Sequence, residues 1–301
     1  MRIFTKIESF NGKEPVVLSI GNFDGLHLGH QYLLQNNLDL ATKMGVSSVV
    51  LSFSPHPMAI FKPDSFCLLS SLTDQEFGLE LLGIDYWIIE PFTKSVRDES
   101  AEEFFTRLRK VLKIRAIVVG PDFCFGKDRA GDVKFLIEMG KTHNIQIMLP
   151  KIFTYKGQRV SSTLIRSLLK DGNVELAADS LGRPFTLNGN VISGYQRGQQ
   201  LGFPTANINS ASAGNLRRGV YSTVIYIRGT KYKAATNVGL HPTFGEENEL
   251  KVETHILDFN ENIYGENIKI EFLKFIRPEV KFSNVESLKK QIEMDLKFVR
   301  G

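Results

Sequence analysis

Val16-Val-Leu-Ser-Ile20 runs without a break into Gly21-Asn-Phe-Asp-Gly25-Leu-His27-Leu-Gly-His30. The apolar run reads as a buried strand, and helical period sets in at its far side, from about residue 30. A strand that feeds a helix through a glycine-rich turn belongs to a parallel sheet, where the loop at the strand's carboxyl end meets a helix amino terminus. Free N–H groups and the positive end of the helix dipole favour anions there. Gly21, Gly25 and Gly29 let the backbone approach a ligand closely, and His27 and His30 project from one helical turn toward the same space. The arrangement suits a polyphosphate undergoing charge redistribution. Taken singly, the same residues also read as surface histidines beside a shaped turn. A zinc reading is weaker, because HxxH lacks the glutamate and the i, i+4 spacing of a zincin.

Outward from this turn, the segment to about residue 150 alternates apolar runs with helical stretches. Strands are expected at Val16 to Ile20, Ser48 to Phe53, Tyr86 to Ile89, Ala116 to Val119 and Ile145 to Leu149, with helices near 30–43, 74–83, 100–112 and 131–142. Ser100 stands three residues before Glu103, the spacing of a capping box. Two short helices follow, Ser161 to Leu169 and Asn173 to Leu181, and Gly182-Arg183-Pro184 then punctuates the chain. Beyond it come β runs with turn signals: Leu187 to Ile192, Val220 to Ile227, Tyr232 to Val238, Val252 to Leu257 and Ile268 to Phe275. A helix from about Asn284 to Phe298 closes the chain. The expected fold is an α/β Rossmann-like domain with a parallel sheet over residues 1–182. A small antiparallel β-barrel with a terminal helix is expected over 183–301.

The 301 residues are 42% hydrophobic and 23% charged, ordinary proportions for a folded chain of two domains. The 37 Lys and Arg exceed the 33 Asp and Glu by only four, and that excess lies wholly beyond Gly182. This is too sparse for a protein held to nucleic acid by phosphate neutralisation. Two cysteines, Cys67 and Cys124, make no disulfide framework, and no apolar run approaches 18 residues. A cytoplasmic protein with no nucleic-acid or membrane partner is therefore expected.

Two further loops carry chemistry. Gly120-Pro-Asp122-Phe123-Cys-Phe-Gly126-Lys-Asp-Arg-Ala-Gly131 follows a strand and precedes a helix, yet departs from a P-loop in its spacing and in Asp128, which stands where a Ser or Thr should be. It reads as a Gly-rich, basic loop at the same sheet edge, suited to nucleotide contacts. Ser161-Ser162-Thr163-Leu-Ile-Arg166 reads as a helix cap and first turn. Facing a nucleotide, its hydroxyls and Arg166 would bind phosphate oxygens and stabilise transition-state charge.

In this order the histidine turn, Phe53-Ser-Pro-His-Pro57, the Gly120 to Gly131 loop and Ser161 to Arg166 resemble the nucleotidyltransferase module of the bacterial bifunctional riboflavin kinase/FMN adenylyltransferase family. The resemblance implies that Gly21, Phe23, Asp24, Gly25, Asp122, Phe123, Ser161, Ser162 and Thr163 contact the nucleotide. It makes His27, His30 and Arg166 the catalytic set. HxGH alone is shared by a broad superfamily that acts on other phosphorylated molecules.

Gly202-Phe203-Pro204-Thr205-Ala-Asn207 and, far downstream, Glu253 in Glu-Thr-His-Ile-Leu-Asp-Phe259 supply neutral oxygens and a carboxylate. Phosphoryl transfer to an alcohol needs a metal ligand set, a phosphate cradle and a base. Without context these are equally a turn, a strand edge and a solvent-facing glutamate. With Arg218-Gly-Val-Tyr221 and Asn237-Val-Gly-Leu-His-Pro-Thr243 they resemble the riboflavin kinase module of the same family. That implies Mg²⁺ and ATP at Thr205 and Asn207, with Gly202, Phe203 and Pro204 in the cradle and Glu253 as base. Riboflavin, FMN and FAD are the implied substrates and products. Two positions depart from the family: Gln199 stands where it usually has Arg, and His241 where Arg or Lys is common.

Overall fold

The computed structural model of the chain describes residues 1–193, 202–241 and 249–301. Gln199, Pro242 and Thr243, and the side chain of His241, lie outside the described residues. The chain divides into two compact units. One comprises Met1–Phe66 and Ser71–Val160, the other Cys67–Ser70 and Ser161–Gly301.

In the first unit six strands form one parallel sheet: β1 (Arg2–Phe4), β2 (Val16–Ile20), β3 (Ser47–Ser54), β4 (Tyr86–Pro91), β5 (Ile114–Val118) and β6 (Gln146–Met148). Their order is β1-β4-β3-β2-β5-β6. The chain moves from β2 outward through β3 to β4, then crosses back to place β5 on the other side of β2. A topological switch point therefore lies between β2 and β5, where ligands of open α/β sheets bind beyond the carboxyl ends. Both loops singled out in the sequence leave the sheet there, one after β2 and one after β5.

Residues of β2 are buried on both faces, which is why the strand reads as a nearly unbroken apolar run. Val16, Leu18 and Ile20 pack with Phe104, Phe105 and Leu108 of α5 (Ala101–Val111) and Leu136 of α6 (Val133–His143). Val17 faces the other way, onto Leu40 and Ala41 of α1 (Leu28–Met44). The Ser100 capping box forms: the Glu103 N–H donates to Ser100 Oγ at 3.2 Å, and the Ser100 N–H donates to Glu103 Oε2 at 2.8 Å. Three helices complete this unit, α2 (Pro57–Phe61), α3 (Leu72–Leu82) and α4 (Lys94–Asp98), with a two-stranded ribbon, β7 (Thr154–Tyr155) and β8 (Gln158–Arg159).

The second unit opens with α7 (Ser162–Lys170) and α8 (Val174–Leu181). Six antiparallel strands follow: β9 (Phe185–Ile192), β10 (Ala206–Ile208), β11 (Gly219–Ile227), β12 (Thr230–His241), β13 (Glu249–Ile256) and β14 (Asn267–Arg277). They close into a barrel in the order β10-β13-β12-β11-β14-β9, and α9 (Val285–Arg300) ends the chain.

The compact units part at Val160 and Ser161, upstream of Gly182, for a physical reason. Ile165, Leu169, Val174, Ala177 and Leu181 share one apolar cluster with Phe185, Leu187, Ile270 and Phe272 of the barrel. Each such side chain contributes about 1.5–3 kcal/mol by its burial. A fragment of residues 161–301 is therefore expected to melt cooperatively, and a fragment of residues 183–301 to melt at a clearly lower temperature or to aggregate. Circular dichroism melts of the two fragments decide it, and equal midpoints would refute the packing argument.

Candidate active sites

The turn after β2 bends within a few residues from strand to helix, and three of its residues take left-handed backbone: Phe23 (φ 50°), Gly25 (φ 82°) and Leu26 (φ 41°). Two of them carry large side chains, and both are buried anchors in a cluster with Leu34, Val50, Leu79, Ile84 and Trp87. Gly78 in α3 has no side chain to obstruct Leu26, whose Cδ2 lies 2.3 Å from where a Cβ would stand. The anchors hold a conformation that would otherwise be strained.

His27 caps α1. The His30 N–H donates to His27 Nδ1 at 3.2 Å, so Nδ1 is the unprotonated nitrogen and Nε2 carries the proton. The two imidazoles stack at 3.6 Å between centroids, 17° apart, and the Phe23 ring meets His30 edge-on at 5.4 Å. Burial drives the His30 pKa well below its ordinary 6.5, and the neighbouring His27 and His56 push the same way. His30 is therefore neutral at pH 7. Its Nδ1 and Asn22 Oδ1 are buried without a hydrogen-bond partner, which is the state of groups that await one.

Gly21 and Asn22 also line a cavity of about 890 Å³ that reaches across the switch point to Asp122 and Phe123 of the loop after β5. Its wall is aromatic. Phe53 at the end of β3 meets Phe92 at 5.7 Å and Phe104 at 6.2 Å, and Phe61 of α2 meets Phe92 at 6.1 Å. Phe123 stacks on Phe125 at 5.5 Å and 18°. Lys62, Arg97, Lys127 and Arg129 stand on the rim with Asp98, Asp122 and Asp128. Asp122 pairs with Arg159, and Arg97 with Asp98 at 2.9 Å. A concave, apolar pocket with a polar rim fits an aromatic ligand that carries a charged end. Phe61 on this wall is 56% exposed and can stack on a ring, whereas Phe125 at 9% belongs mainly to the core.

The structure thus gathers Gly21, Phe23, Asp24, Gly25, His27 and His30 into one turn, and Gly21 shares the cavity lining with Asp122 and Phe123. Ser161, Ser162, Thr163 and Arg166 open α7 in the second unit. The Leu164 N–H donates to Ser161 Oγ at 3.2 Å, and Arg166 Nε donates to the Cys67 carbonyl at 2.9 Å, which fixes the direction of the guanidinium. Asn22, His56, Phe53, Phe92 and Phe104 are site residues that sequence reasoning did not assign. His56 stood in the quoted Phe53 to Pro57 run. It caps α2 by accepting from the Met58 N–H at 3.0 Å, and its ring stacks on Phe66 at 4.5 Å.

On the barrel, strand alternation separates core from chemistry. Ala206, Ile208, Val252 and Val238 belong to the apolar cluster within. Asn207, Glu253 and Asn237 therefore lie on the outer face. Register places them in one row: Asn207 opposite Glu253, and Glu253 opposite Asn237. Gly202 takes φ 89°, and the turn it starts is tied to β13 by His255, whose Nδ1 lies 2.8 Å from the Pro204 carbonyl and whose ring meets Phe203 at 5.8 Å. Pro204 and Thr205 line a cavity of about 420 Å³ with Phe259, Ile263 and Tyr264. Asn237 was quoted in the sequence only as part of a motif; its place beside Glu253 appears with the register.

A parallel sheet with an anion-ready turn at its switch point, joined in one chain to a closed barrel that presents an amide and a carboxylate in register, offers two candidate sites. The family model for FAD synthetase matches residues 10–164, and the one for riboflavin kinase matches residues 181–301. A protein of Buchnera aphidicola named bifunctional riboflavin kinase/FMN adenylyltransferase is 36% identical, over 94% of this chain and 92% of its own length. One of Pseudomonas fluorescens with the same name is 34% identical, over 95% and 92%. A crystal structure from Streptococcus pneumoniae, described as a macrolide-efflux protein, superposes with a TM-score of 0.88 at 30% identity, over 99% of this chain and 98% of its own. Among the described residues of this chain no helix is long and apolar enough to cross a membrane. The chain belongs to the family of bifunctional riboflavin kinase/FMN adenylyltransferases.

The depressed pKa of His30 has a consequence for stability. The unfolded chain takes up a proton at this residue near pH 6.5, and the folded chain resists it. The stability associated with neutral His30 is therefore complete above 6.5 and is lost as pH falls below it. Urea midpoints measured on either side of that pH are expected to fall for the wild type toward acid, and to fall less for His30→Asn. Identical slopes would contradict the desolvated, neutral imidazole.

Proposed function

We infer that the chain synthesises flavin cofactors in two steps. It phosphorylates riboflavin with ATP to give FMN and ADP, then adenylylates FMN with a second ATP to give FAD and pyrophosphate. The observation that carries this reading is the match of two family models to separate stretches, one containing the histidine turn and Ser161 to Thr163, the other Thr205, Asn207 and Glu253. The proposed division assigns adenylyl transfer to residues 1–182 and the kinase to residues 183–301. The family-model limits support it, as does the left-handed Gly182 that caps α8. In this division Ser161 to Arg166 serve the first activity although α7 packs with the barrel.

In adenylyl transfer a phosphate oxygen of FMN attacks the α-phosphorus of ATP in line. The bond from the α-phosphorus to the bridging oxygen of the pyrophosphate breaks, and that oxygen leaves with the pair of electrons. The amino terminus of α1 and the His27 Nε2–H supply donors to the phosphates. His30 would hold a phosphate oxygen beside them, and an anion there reverses the electrostatic penalty that keeps its ring neutral. Arg166 and the hydroxyls of Ser161, Ser162 and Thr163 are assigned to phosphate oxygens, with Gly21, Phe23, Asp24 and Gly25 shaping the approach. The aromatic cavity takes the isoalloxazine ring of FMN, with Asp122 and Phe123 at its edge.

In the kinase, Glu253 accepts the proton of the terminal ribityl hydroxyl as its oxygen attacks the γ-phosphorus, and ADP leaves. Thr205 and Asn207 offer hard, neutral oxygens, a donor set that suits Mg²⁺ once the phosphates of the nucleotide complete it. Bound there, Mg²⁺ would neutralise charge on the transferred phosphoryl group. Gly202, Phe203 and Pro204 are assigned to the nucleotide cradle, and Pro204 and Thr205 line the 420 Å³ cavity beside it.

The test is chromatographic separation of products from purified protein. With riboflavin and Mg-ATP, His30→Ala is expected to accumulate FMN and lose FAD formation by roughly 10²–10³. Glu253→Gln should lose FMN formation by about 10²–10⁴ yet still convert supplied FMN to FAD. Wild-type protein that yields neither product overturns the assignment; a folded His30→Ala variant that makes no FMN from riboflavin, or a folded Glu253→Gln variant that makes no FAD from supplied FMN, overturns the separation of sites.

A further inference from the structure

Arg107 lies outside the cavity of the first unit, yet three carboxylates converge on it. Its guanidinium forks onto Glu99 through Nε to Oε1 at 2.9 Å and a second amine to Oε2 at 2.9 Å. It also donates to Glu90 Oε1 at 2.8 Å and Glu8 Oε1 at 3.1 Å. Glu90 is buried, and its other oxygen accepts the Ile7 N–H at 2.7 Å. Burial opposes the charge on Arg107, and the hydrogen bonds from Glu99 and Glu90 outweigh it, so the cation is held firmly. A forked pair of this kind fixes direction as well as charge.

What it fixes is the wall of the cavity. Phe104, one turn earlier on α5, lines the cavity, and the Arg107 guanidinium lies 5.5 Å from its ring centroid. Glu99, just before the Ser100 cap, accepts the Lys127 N–H on its backbone carbonyl at 2.7 Å. Lys127 begins the rim segment in which Asp128 (φ 54°) and Arg129 (φ 59°) are both left-handed, a conformation that persists only where its surroundings over-determine it. Gly126 and Gly131 bring this loop flat against the start of α5. A Cβ on Gly126 would lie 2.6 Å from the Ala101 nitrogen, and one on Gly131 2.6 Å from the Ala101 Cβ. The start of α5 and the rim therefore move as one piece, and Arg107 sets where that piece stands.

We propose that Arg107, through its forked pair with Glu99 and its contact with Phe104, is a positioning residue for FMN in adenylyl transfer. It touches neither substrate. The assignment rests on the reading of this cavity as the seat of FMN. Its loss loosens an aromatic wall and a cationic rim at once, so it weakens FMN binding without removing a reacting group.

The experiment measures FAD formation from FMN and Mg-ATP by the full-length protein, with riboflavin phosphorylation by the same preparations as an internal reference. Arg107→Met is expected to raise KM for FMN about tenfold with kcat within about twofold, while FMN formation from riboflavin is unchanged. Arg107→Lys keeps the charge and loses the fork, so it should fall between. Glu99→Gln keeps the carbonyl that holds Lys127 and should shift KM in the same direction. It decides the matter if Arg107→Met fails to fold. Variants that melt lower yet retain the wild-type KM for FMN would overturn the proposal, since a purely structural tie predicts that outcome. Wild-type protein unable to make FAD from FMN would instead overturn the functional reading, and the proposal with it.

Discussion

The chain must pass from β2 into α1 within the seven residues Gly21 to His27, and the sheet cannot bind a ligand at its switch point unless this turn is tight and its peptide N–H groups point outward. Three left-handed residues accomplish the turn, two of them not glycine. A strained residue of this kind costs about 1–3 kcal/mol, and the burial of a Phe or Leu side chain contributes about 1.5–3 kcal/mol. Phe23 and Leu26, which incur the strain, are also the buried anchors that offset it. The same compression stacks His27 on His30, and two imidazoles 3.6 Å apart cannot both be charged without an anion beside them.

The barrel solves its positioning problem by register. Inside it, hydroxyls stitch three strands: Thr223 Oγ1 lies 2.8 Å from Thr236 Oγ1, which lies 3.0 Å from Thr254 Oγ1, and Thr223 also donates to the Ala234 carbonyl at 3.0 Å. A buried, satisfied polar row tolerates no slip, because a one-residue shift would turn each hydroxyl outward and each neighbour inward. Thr254 and Thr236 are the chain neighbours of Glu253 and Asn237. The inner ladder thus locks the outer row in which the proposed base stands.

Much of this was legible in the sequence for reasons that differ by element. Val16–Ile20 was readable to its boundaries because both faces are buried, and Ser100 and Glu103 announced a helix start through local chemistry alone. The strands β1 and β10 have three residues each, and α2 and α4 five, too few for periodicity to register. That the compact units part upstream of Gly182 was not legible, because α7 and α8 show ordinary helical patterning, which says that a face is buried but not against what. The histidine turn is contiguous in sequence and could be read whole. The aromatic cavity could not, since Phe53, Phe61, Phe92, Phe104 and Phe123 come from separate elements in a chain with 22 phenylalanines. Asn237 needed the pairing of β12 with β13.

Why the two proposed centres differ in residue type follows from their nucleophiles. The phosphate of FMN is already an anion at neutral pH, since its second pKa lies near 6. A site that activates it gains nothing from a carboxylate base and would suffer its repulsion. What that site needs is donors to the phosphate oxygens, which the imidazoles, the helix N–H groups and the assigned Arg166 guanidinium supply. The ribityl hydroxyl is the opposite case: it holds its proton until attack, so a proton acceptor must stand beside it while the metal and the phosphates absorb charge. Glu253 on the outer face of a barrel, between two amides in register, answers that need. The two activities thus call for different electrostatics, and the histidine turn and Glu253 stand in separate compact units with separate cores.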